Sequence, residues 1–464
     1  MKSLYAILLV LSLASCAAGP DYVAPETAAP EFVRAAEAQV TERPFEAAWW
    51  EQFGDPVLSQ LVDRALSGDL DLQAAAARVE EARALAGESR RALWPEVSAG
   101  AAAGKSKAQQ PGFSSQRLEV QEYRTGLETK WELDLFGRAR RNAEAAAADA
   151  EAAEADLHAV QVLVASEVAT TYLELRGAQK RLAVARDNLA SQQKTLDLIR
   201  VKLELGRGTE LDVASARAQY SAIEAGIPPL AAAEEIAGHR LAVLTGQRPG
   251  ALDDLLEPRE IAPQVTTLNV GSADTLLARR PDVRAAERHL AASSARVGAA
   301  TADFFPRLSL SGFIGFIAGD AGALGETASR AWNAGSTLSW SAINGERSRL
   351  SAAEARAHGA RAAYEKTVLL ALEEAEDAFA RYGHNRQRLT AAVDRVDASR
   401  KAASLARIQY REGALDYLRL LDAERTVLDA EDALATAETE LNTSVVQIYK
   451  ALGGGWEAAP DEVG

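Results

Sequence analysis

Apolar residues return at every seventh position through two long stretches of the chain. Val168, Leu175, Leu182, Leu189, Leu196 and Leu203 form one series, and Tyr382, Leu389, Val396, Ala403 and Tyr410 form the other. A strict seven-residue repeat keeps one seam against a neighbouring helix as the two supercoil. Prolines respect the same division, with none between Pro111 and Pro228 and none between Pro306 and Pro460. Inside these stretches, residues 138–205 and 346–412 are rich in Ala, Glu and Arg and predict two uninterrupted helices. At about 1.5 Å per residue each would reach roughly 100 Å, longer than a compact globular domain needs.

The second series repeats the first at a constant offset: Leu182 and Leu389, Gly206 and Gly413, and Ala216 and Ala423 each lie 207 residues apart. The chain is therefore an internal duplication. The turns that follow the two helices match as well, Gly206-Arg207-Gly208-Thr209-Glu210-Leu211-Asp212 against Gly413-Ala414-Leu415-Asp416-Tyr417-Leu418. Glycine at a helix end takes the left-handed conformation that reverses the chain, and a polar residue starts the next helix. Each half is expected to contain an antiparallel helical hairpin, with return helices at 211–244 and 418–452.

Ahead of each long helix the period changes from seven to two. Tyr123, Thr125, Leu127, Thr129, Trp131 and Leu133 alternate with Arg124, Gly126, Glu128, Lys130, Glu132 and Asp134, so one face of the strand is charged. Val97, Ala99 and Ala101 alternate upstream; in the second half Leu308, Leu310 and Ile314 share a face, as do Trp332, Leu338 and Trp340. Two β-hairpins are predicted, at 95–134 and 306–341. Such strands could belong to a half-solvated sheet or to a membrane barrel. Trp94, Trp131, Trp332 and Trp340, four of the seven tryptophans, fall at strand ends, where barrel aromatics meet the lipid interface. Four strands cannot close a membrane barrel, and an open edge in hydrocarbon leaves unpaired backbone groups costing several kcal/mol each. Sister copies would have to close it, with Arg124, Glu128, Lys130 and Glu132 lining a wet lumen while Leu127 and Leu133 meet lipid.

Composition narrows the options. A net charge of −15 argues against a nucleic-acid partner, and 48% hydrophobic with 25% charged residues is the balance of a folded protein. His158, His239, His289, His358 and His384 are scattered without metal-ligand spacing, and neither a phosphate-binding loop nor a nucleophile elbow is present, so no catalytic site, cofactor or metal is expected. Arg279-Arg280-Pro281-Asp282 reads as a helix start rather than as chemistry.

The one cysteine, Cys16, excludes an intrachain disulfide. It follows Lys2 and an apolar run at 4–14, too short for a membrane helix, which reads as a secretory signal. Leu13-Ala14-Ser15-Cys16 resembles the bacterial lipoprotein box, in which the cysteine sulfur takes a diacylglycerol; Ala17, not Asp, follows it, which favours the outer membrane. Acyl chains contribute about 0.8 kcal/mol per buried methylene.

Six ordered signatures then tie the chain to a family. They are Gly19-Pro20-Asp21-Tyr22; Trp49-Trp50 through Phe53-Gly54-Asp55-Pro56; Trp131-Glu132-Leu133-Asp134-Leu135-Phe136-Gly137; Leu276-Leu277-Ala278-Arg279-Arg280-Pro281-Asp282-Val283; Phe304-Phe305-Pro306; and Tyr417-Leu418-Arg419-Leu420-Leu421-Asp422-Ala423. Across nearly the whole mature chain it resembles the lipoprotein outer-membrane factors of the TolC, OprM and NodT type that serve tripartite efflux systems. The resemblance implies a mainly α fold with a membrane β-barrel portion, in which a homotrimer completes one barrel and its helical hairpins form a periplasmic α-barrel. It further implies a gate at Asp416, Leu418 and Asp422, and tips at Gly206, Thr209, Leu211, Gly413 and Tyr417 that meet a periplasmic adaptor protein coupled to an inner-membrane RND-type transporter. A ring of Asp side chains brought together by symmetry would attract cations. The sequence departs from its relatives at Leu338-Ser339-Trp340-Ser341-Ala342-Ile343-Asn344-Gly345, which lacks their usual proline.

The expected layout is a signal peptide at 1–15, a lipid-anchored leader at 16–48, first-repeat helices at 49–94, the first hairpin at 95–134 and the first helical hairpin at 135–246. A connecting segment follows at 247–272, then helices at 273–305, the second hairpin at 306–341, the second helical hairpin at 342–452 and a tail at 453–464. A passive exit duct for small molecules is the favoured function; channels for secreted polypeptides and a non-conducting coiled-coil tether are the alternatives. A tether has no use for a charged inner strand face.

Overall fold

Both halves of the chain run through the same order of elements: short helices, a β-hairpin, a long helix and a return helix. The first half holds a 3-10 turn at Trp49–Phe53, α1 (Pro56–Gly68), α2 (Leu70–Arg91), β1 (Glu96–Gln109), β2 (Arg117–Leu133), α3 (Arg138–Glu204) and α4 (Glu210–Leu244). The second holds α5 (Ala273–Arg279), α6 (Pro281–Ala302), β3 (Arg307–Ala318), β4 (Arg330–Ser339), α7 (Glu346–Arg411) and α8 (Tyr417–Ala451). This is a computed structural model, and it describes residues 18–25, 32–33, 48–109, 117–259, 268, 270, 273–340 and 345–456. Cys16, the signal segment and Ser341–Asn344 of the divergent strand end lie outside the described residues.

The chain divides into two compact units. One is built chiefly from Ala77–Glu154 and Ala285–Lys366; the other takes Thr27–Ala76, Ala155–Arg284 and Thr367–Gly464. The four strands lie in the first unit as a single antiparallel sheet in the order β1-β2-β3-β4, with β1 and β4 at its edges. Ala99 pairs with Leu127, Leu127 with Ile314 and Ile314 with Trp332, while Leu133 pairs with Leu308 and Leu308 with Leu338. Directly paired residues point to the same side of a sheet, so the apolar sets of both hairpins share one face.

Where each hairpin returns, a tryptophan fastens it. Trp131 donates from its indole nitrogen to the Leu93 carbonyl at 3.0 Å, and Trp340 does the same to the Phe304 carbonyl at 3.1 Å. The two bonds occupy matching places in the two repeats. Trp131→Phe keeps an aromatic ring, smaller than the indole, and deletes one of them. A loss of about 1 kcal/mol in unfolding free energy is expected, measurable by denaturant titration; no change would mean that the bond does not hold the hairpin.

In the second unit the seven-residue seams are mostly buried: Val168, Leu175, Leu182 and Leu196 on α3, where Leu189 and Leu203 are half-buried, and Tyr382, Leu389, Val396, Ala403 and Tyr410 on α7. Arg181 pairs with Asp432 at 2.6 Å and Arg400 with Glu431 at 2.8 Å, so charged residues flank the apolar contacts on α8. Helix α4 continues through Pro228 and Pro229, which remove two backbone donors from its exposed middle.

Around Trp49 the signature residues form a core of their own. Trp49 is fully buried and stacks on Tyr449, ring centroids 5.3 Å apart, and Tyr449 donates to Gln52 at 2.8 Å. Asp55 caps α1 with one carboxylate oxygen and accepts the Tyr172 hydroxyl with the other. Burial first, and then that acceptor, push the Tyr172 phenol well above its usual range. Arg176, also buried, continues the chain to Tyr172 at 3.0 Å and to the Glu257 carbonyl at 2.7 Å.

Arg280 has the structural role its sequence context suggested. Its guanidinium is buried, pairs with Asp282 and Glu374, and donates to the Ala451 carbonyl at the end of α8 at 2.8 Å. Both carboxylates are partly exposed, so removing the arginine leaves no buried charge, only lost charge-assisted bonds. Arg280→Met is expected to cost about 1.5–3 kcal/mol by denaturant titration, and a neutral result would assign the residue some other purpose.

Candidate functional site

Two places carry the residues singled out in the sequence: the two-faced sheet of the first unit and the helix-hairpin tips of the second. On the sheet, alternation along each strand and the pairing register place Val97, Leu127, Trp131, Leu133, Leu308, Leu310, Ile314, Trp332 and Leu338 on one face. Val97, Leu127, Ile314, Trp332 and Leu338 are exposed there. No helix of the described residues is long and apolar enough to cross a membrane.

The opposite face carries Arg124, Glu128, Lys130 and Glu132 from β2, beside Ser98 on β1, Ser309 and Ser311 on β3, and Asn333 and Thr337 on β4. The structure thus brings all four expected lumen residues onto one polar surface. Arg124 pairs with Glu128 at 2.9 Å, and Glu132 accepts from Arg138 at the start of α3 at 2.9 Å.

A feature missed in the sequence sits at the middle of this face. Gly100, Gly126 and Gly315 lie in one row across β1, β2 and β3, and the last two backbones meet closely. A Cβ on Gly126 would stand 2.5 Å from the Ile314 carbonyl oxygen, and one on Gly315 would stand 2.2 Å from that of Thr125. The Phe313 ring fills the space left and is buried, with the Arg124 guanidinium 4.0 Å above it. Glycines inside a strand were the available signal, since they mark close backbone approach.

The interface tryptophans divide. Trp94 is exposed just ahead of β1, and Trp131 and Trp340 stand at the ends of β2 and β4. Trp332 is the third residue of β4 and pairs with Ile314, level with Leu127, so this strand end lies within the apolar band. The physical reason is length, because β4 has 10 residues against 17 in β2 and begins lower on the sheet.

At the tips, Gly206 and Gly413 both take positive φ, 70° and 76°. The Arg207 amide donates to the Lys202 carbonyl at 2.8 Å, and the Ala414 amide to that of Gln409 at 2.9 Å, the same helix-ending motif twice. Thr209 and Asp212 form a capping box that starts α4, and Asp416 starts α8 by accepting the Arg419 amide at 2.9 Å. Gly206, Thr209, Leu211, Gly413, Asp416, Leu418 and Asp422 are exposed.

Tyr417 is not on that surface. Its ring is buried with Leu196, Ile199, Ala216, Leu420 and Leu421, against Tyr410, and burial pushes its phenol up to about 12. The helical period explains it: Tyr417, Leu420, Leu421 and Glu424 share the inward side of α8, leaving Leu418 and Asp422 outward. Asp422 has no ion-pair partner among the described residues.

The chain is similar to known proteins over almost its full length. The family model of the outer membrane efflux proteins matches residues 61–247 and 273–454. Outer membrane protein OprJ of Pseudomonas aeruginosa is 32% identical over 457 residues, which cover 97% of this chain and 95% of that one. The toluene efflux pump outer membrane protein TtgF of Pseudomonas putida is 32% identical over 476 residues, covering 98% of each chain. Among solved structures, the outer-membrane channel OprN superposes with a TM-score of 0.91 at 48% identity, over 95% of this chain and 100% of that one.

Proposed function

Because the chain belongs to the outer membrane efflux protein family, we propose that it is the outer-membrane channel subunit of an efflux pump, a passive duct and not an enzyme. The observation that carries the reading is a sheet that is apolar on one face, charged on the other and unpaired along both edges. In hydrocarbon those edges must find hydrogen-bond partners, and sister copies of the same sheet supply them. Three copies of four strands make a barrel of twelve, an even number as in bacterial outer-membrane barrels. The apolar face then meets lipid. Arg124, Glu128, Lys130 and Glu132 face the water inside.

The charged inner face is also what separates a channel from a tether, for which a polar lumen has no purpose. In this reading a diacylglycerol on Cys16 holds the subunit to the outer-membrane lipid, and the helical hairpins extend the duct into the periplasm. The exposed tips at Gly206, Thr209, Leu211 and Gly413 receive a periplasmic adaptor, which links the channel to an inner-membrane transporter of the RND type. Tyr417 takes part from beneath, by holding Leu418 and Asp422 outward. Asp416, Leu418 and Asp422 form the gate.

Export by living cells tests the proposal. A strain lacking its own channel, given this chain with its adaptor and transporter, is expected to regain efflux of a fluorescent dye. Restored envelope integrity without any dye efflux would support the tether instead.

A further inference from the structure

The outward face of the sheet carries a second, smaller site. Leu127, Ile314, Phe316 and Trp332 surround an open groove of about 560 Å³ whose floor is the close-packed Gly126 and Gly315, and whose far rim is Arg330. That volume falls within the ~300–1,000 Å³ typical of small-ligand sites. Arg330 pairs across the sheet with Phe316, on the same side as Trp332, and is exposed. Among the described residues no carboxylate forms an ion pair with it.

Depth makes the unpaired cation significant. The ends of β1 to β4 that join the helices lie at Glu96, Leu133, Arg307 and Ser339, and the turns lie at the opposite end. In the channel reading, on which this inference rests, the turns face the exterior. The outward residues stay largely apolar from the Leu133–Leu308 pair up to the Tyr123–Ala318 pair. Ten steps of about 3.3 Å, tilted by about 40°, span roughly 25 Å, the height of a barrel's lipid-facing band. Arg330 pairs with Phe316, one row below the upper limit of that band, so its charge sits at the edge of the outer leaflet.

Among the described residues no carboxylate is paired with it; Glu326 in the outer turn, four residues earlier in the chain, is exposed and forms no cap with its side chain. Closure of the barrel sets β4 beside β1 of a sister copy, and the outward side chains of β1 run from Val97 through Lys107 without a carboxylate. Glu119, higher on the outward face of β2, is paired with Lys105. Asp320 in the outer turn accepts the Gly322 amide. Lys107 and Arg117 add positive charge on the same face just above the band. Apolar walls below and cations above match an amphiphile that carries acyl chains and phosphate.

We propose that this groove binds the phosphorylated, multiply acylated glycolipid of the outer leaflet, with one acyl chain packed against Trp332 and Ile314 and a sugar phosphate held by Arg330. Charge-assisted bonds from arginine to phosphate oxygens are the strong class, and a guanidinium fits them in a fork. The site also gives Trp332 a role in mid-band, where an interface anchor would not sit.

Native mass spectrometry of the detergent-solubilised full chain tests it. The probes are diphosphoryl hexa-acyl glycolipid, its monophosphoryl form, phosphatidylglycerol and phosphatidylethanolamine, each added at the same concentration. The unchanged protein is expected to retain the diphosphoryl glycolipid above the others. Arg330→Gln is expected to lower that retention about tenfold, the worth of one charge-assisted hydrogen bond, and Arg330→Lys to keep most of it. Equal retention by Arg330→Gln and the unchanged protein, or equal retention of phosphatidylethanolamine, overturns the site. Dye efflux measured in parallel separates the two readings: efflux with no glycolipid preference removes the groove and leaves the channel standing, whereas loss of efflux and of the oligomer in the unchanged protein removes both.

Discussion

Gly315→Val is expected to abolish the detergent-stable oligomer, leaving a chain that neither assembles nor exports. The added side chain would have to begin 2.2 Å from the Thr125 carbonyl oxygen and 2.6 Å from the Gly126 Cα, and neither is the movable end of a side chain. Overpacking a well-formed core costs about 1–3 kcal/mol when side chains can shift, and here two backbones must part instead. The Phe313 ring, held between the glycines and Arg124, loses its seat at the same time. Gly100→Ala is the control, because Gly100 lies in the same row yet has open space where its Cβ would be. Electrophoresis of unheated membrane extracts reads both. Assembly of Gly315→Val at the unchanged level would show that the close approach of β2 and β3 does not shape the barrel.

Asp422→Ala is expected to lower the preference of the open channel for cations over anions several-fold. An exposed carboxylate without an ion-pair partner among the described residues keeps its field, and in the proposed trimeric gate three of them would add. Asp416 needs a gentler variant, since its carboxylate also starts α8. Asp416→Asn removes the charge and retains a side-chain acceptor that caps about as well, so a change in selectivity without loss of stability isolates the electrostatic part. Reversal potentials in planar bilayers under a salt gradient give the measurement. Identical potentials for Asp422→Ala and the unchanged protein would remove Asp422 from the gate.

The parts of the fold that repeat were open to reading from the residues. A seam recurring every seventh position through α3 and α7, and an alternation carried along β2, are signals that many residues share, so Leu175 or Leu389 is supported by its neighbours in sequence. The matching offset of Gly206 and Gly413 marked both tips for the same reason. Contacts between distant residues left no such trace. Trp49 stacks on Tyr449 and Arg176 reaches the Glu257 carbonyl, and no period connects either pair. Phe313 has no mark of its own in the sequence, and only the two glycines beside it give its ring a place on the polar face. Tyr417 was assigned to the tip surface because it lies in the matching turn, yet its place on the helical period turns it inward. Trp332 stands near the start of β4 as its sequence position suggested, but the level of that start beside β3 is a matter of pairing, and pairing is invisible in one strand alone.

The copy number of the solubilised protein bears most directly on the central claim, that a sheet with two open edges is completed by sister chains around a pore. Native mass spectrometry in mild detergent is expected to find three chains together, with no lone subunit. A single chain, soluble in water once its lipid is removed, would mean that the edges of β1 and β4 are satisfied some other way and that no duct exists.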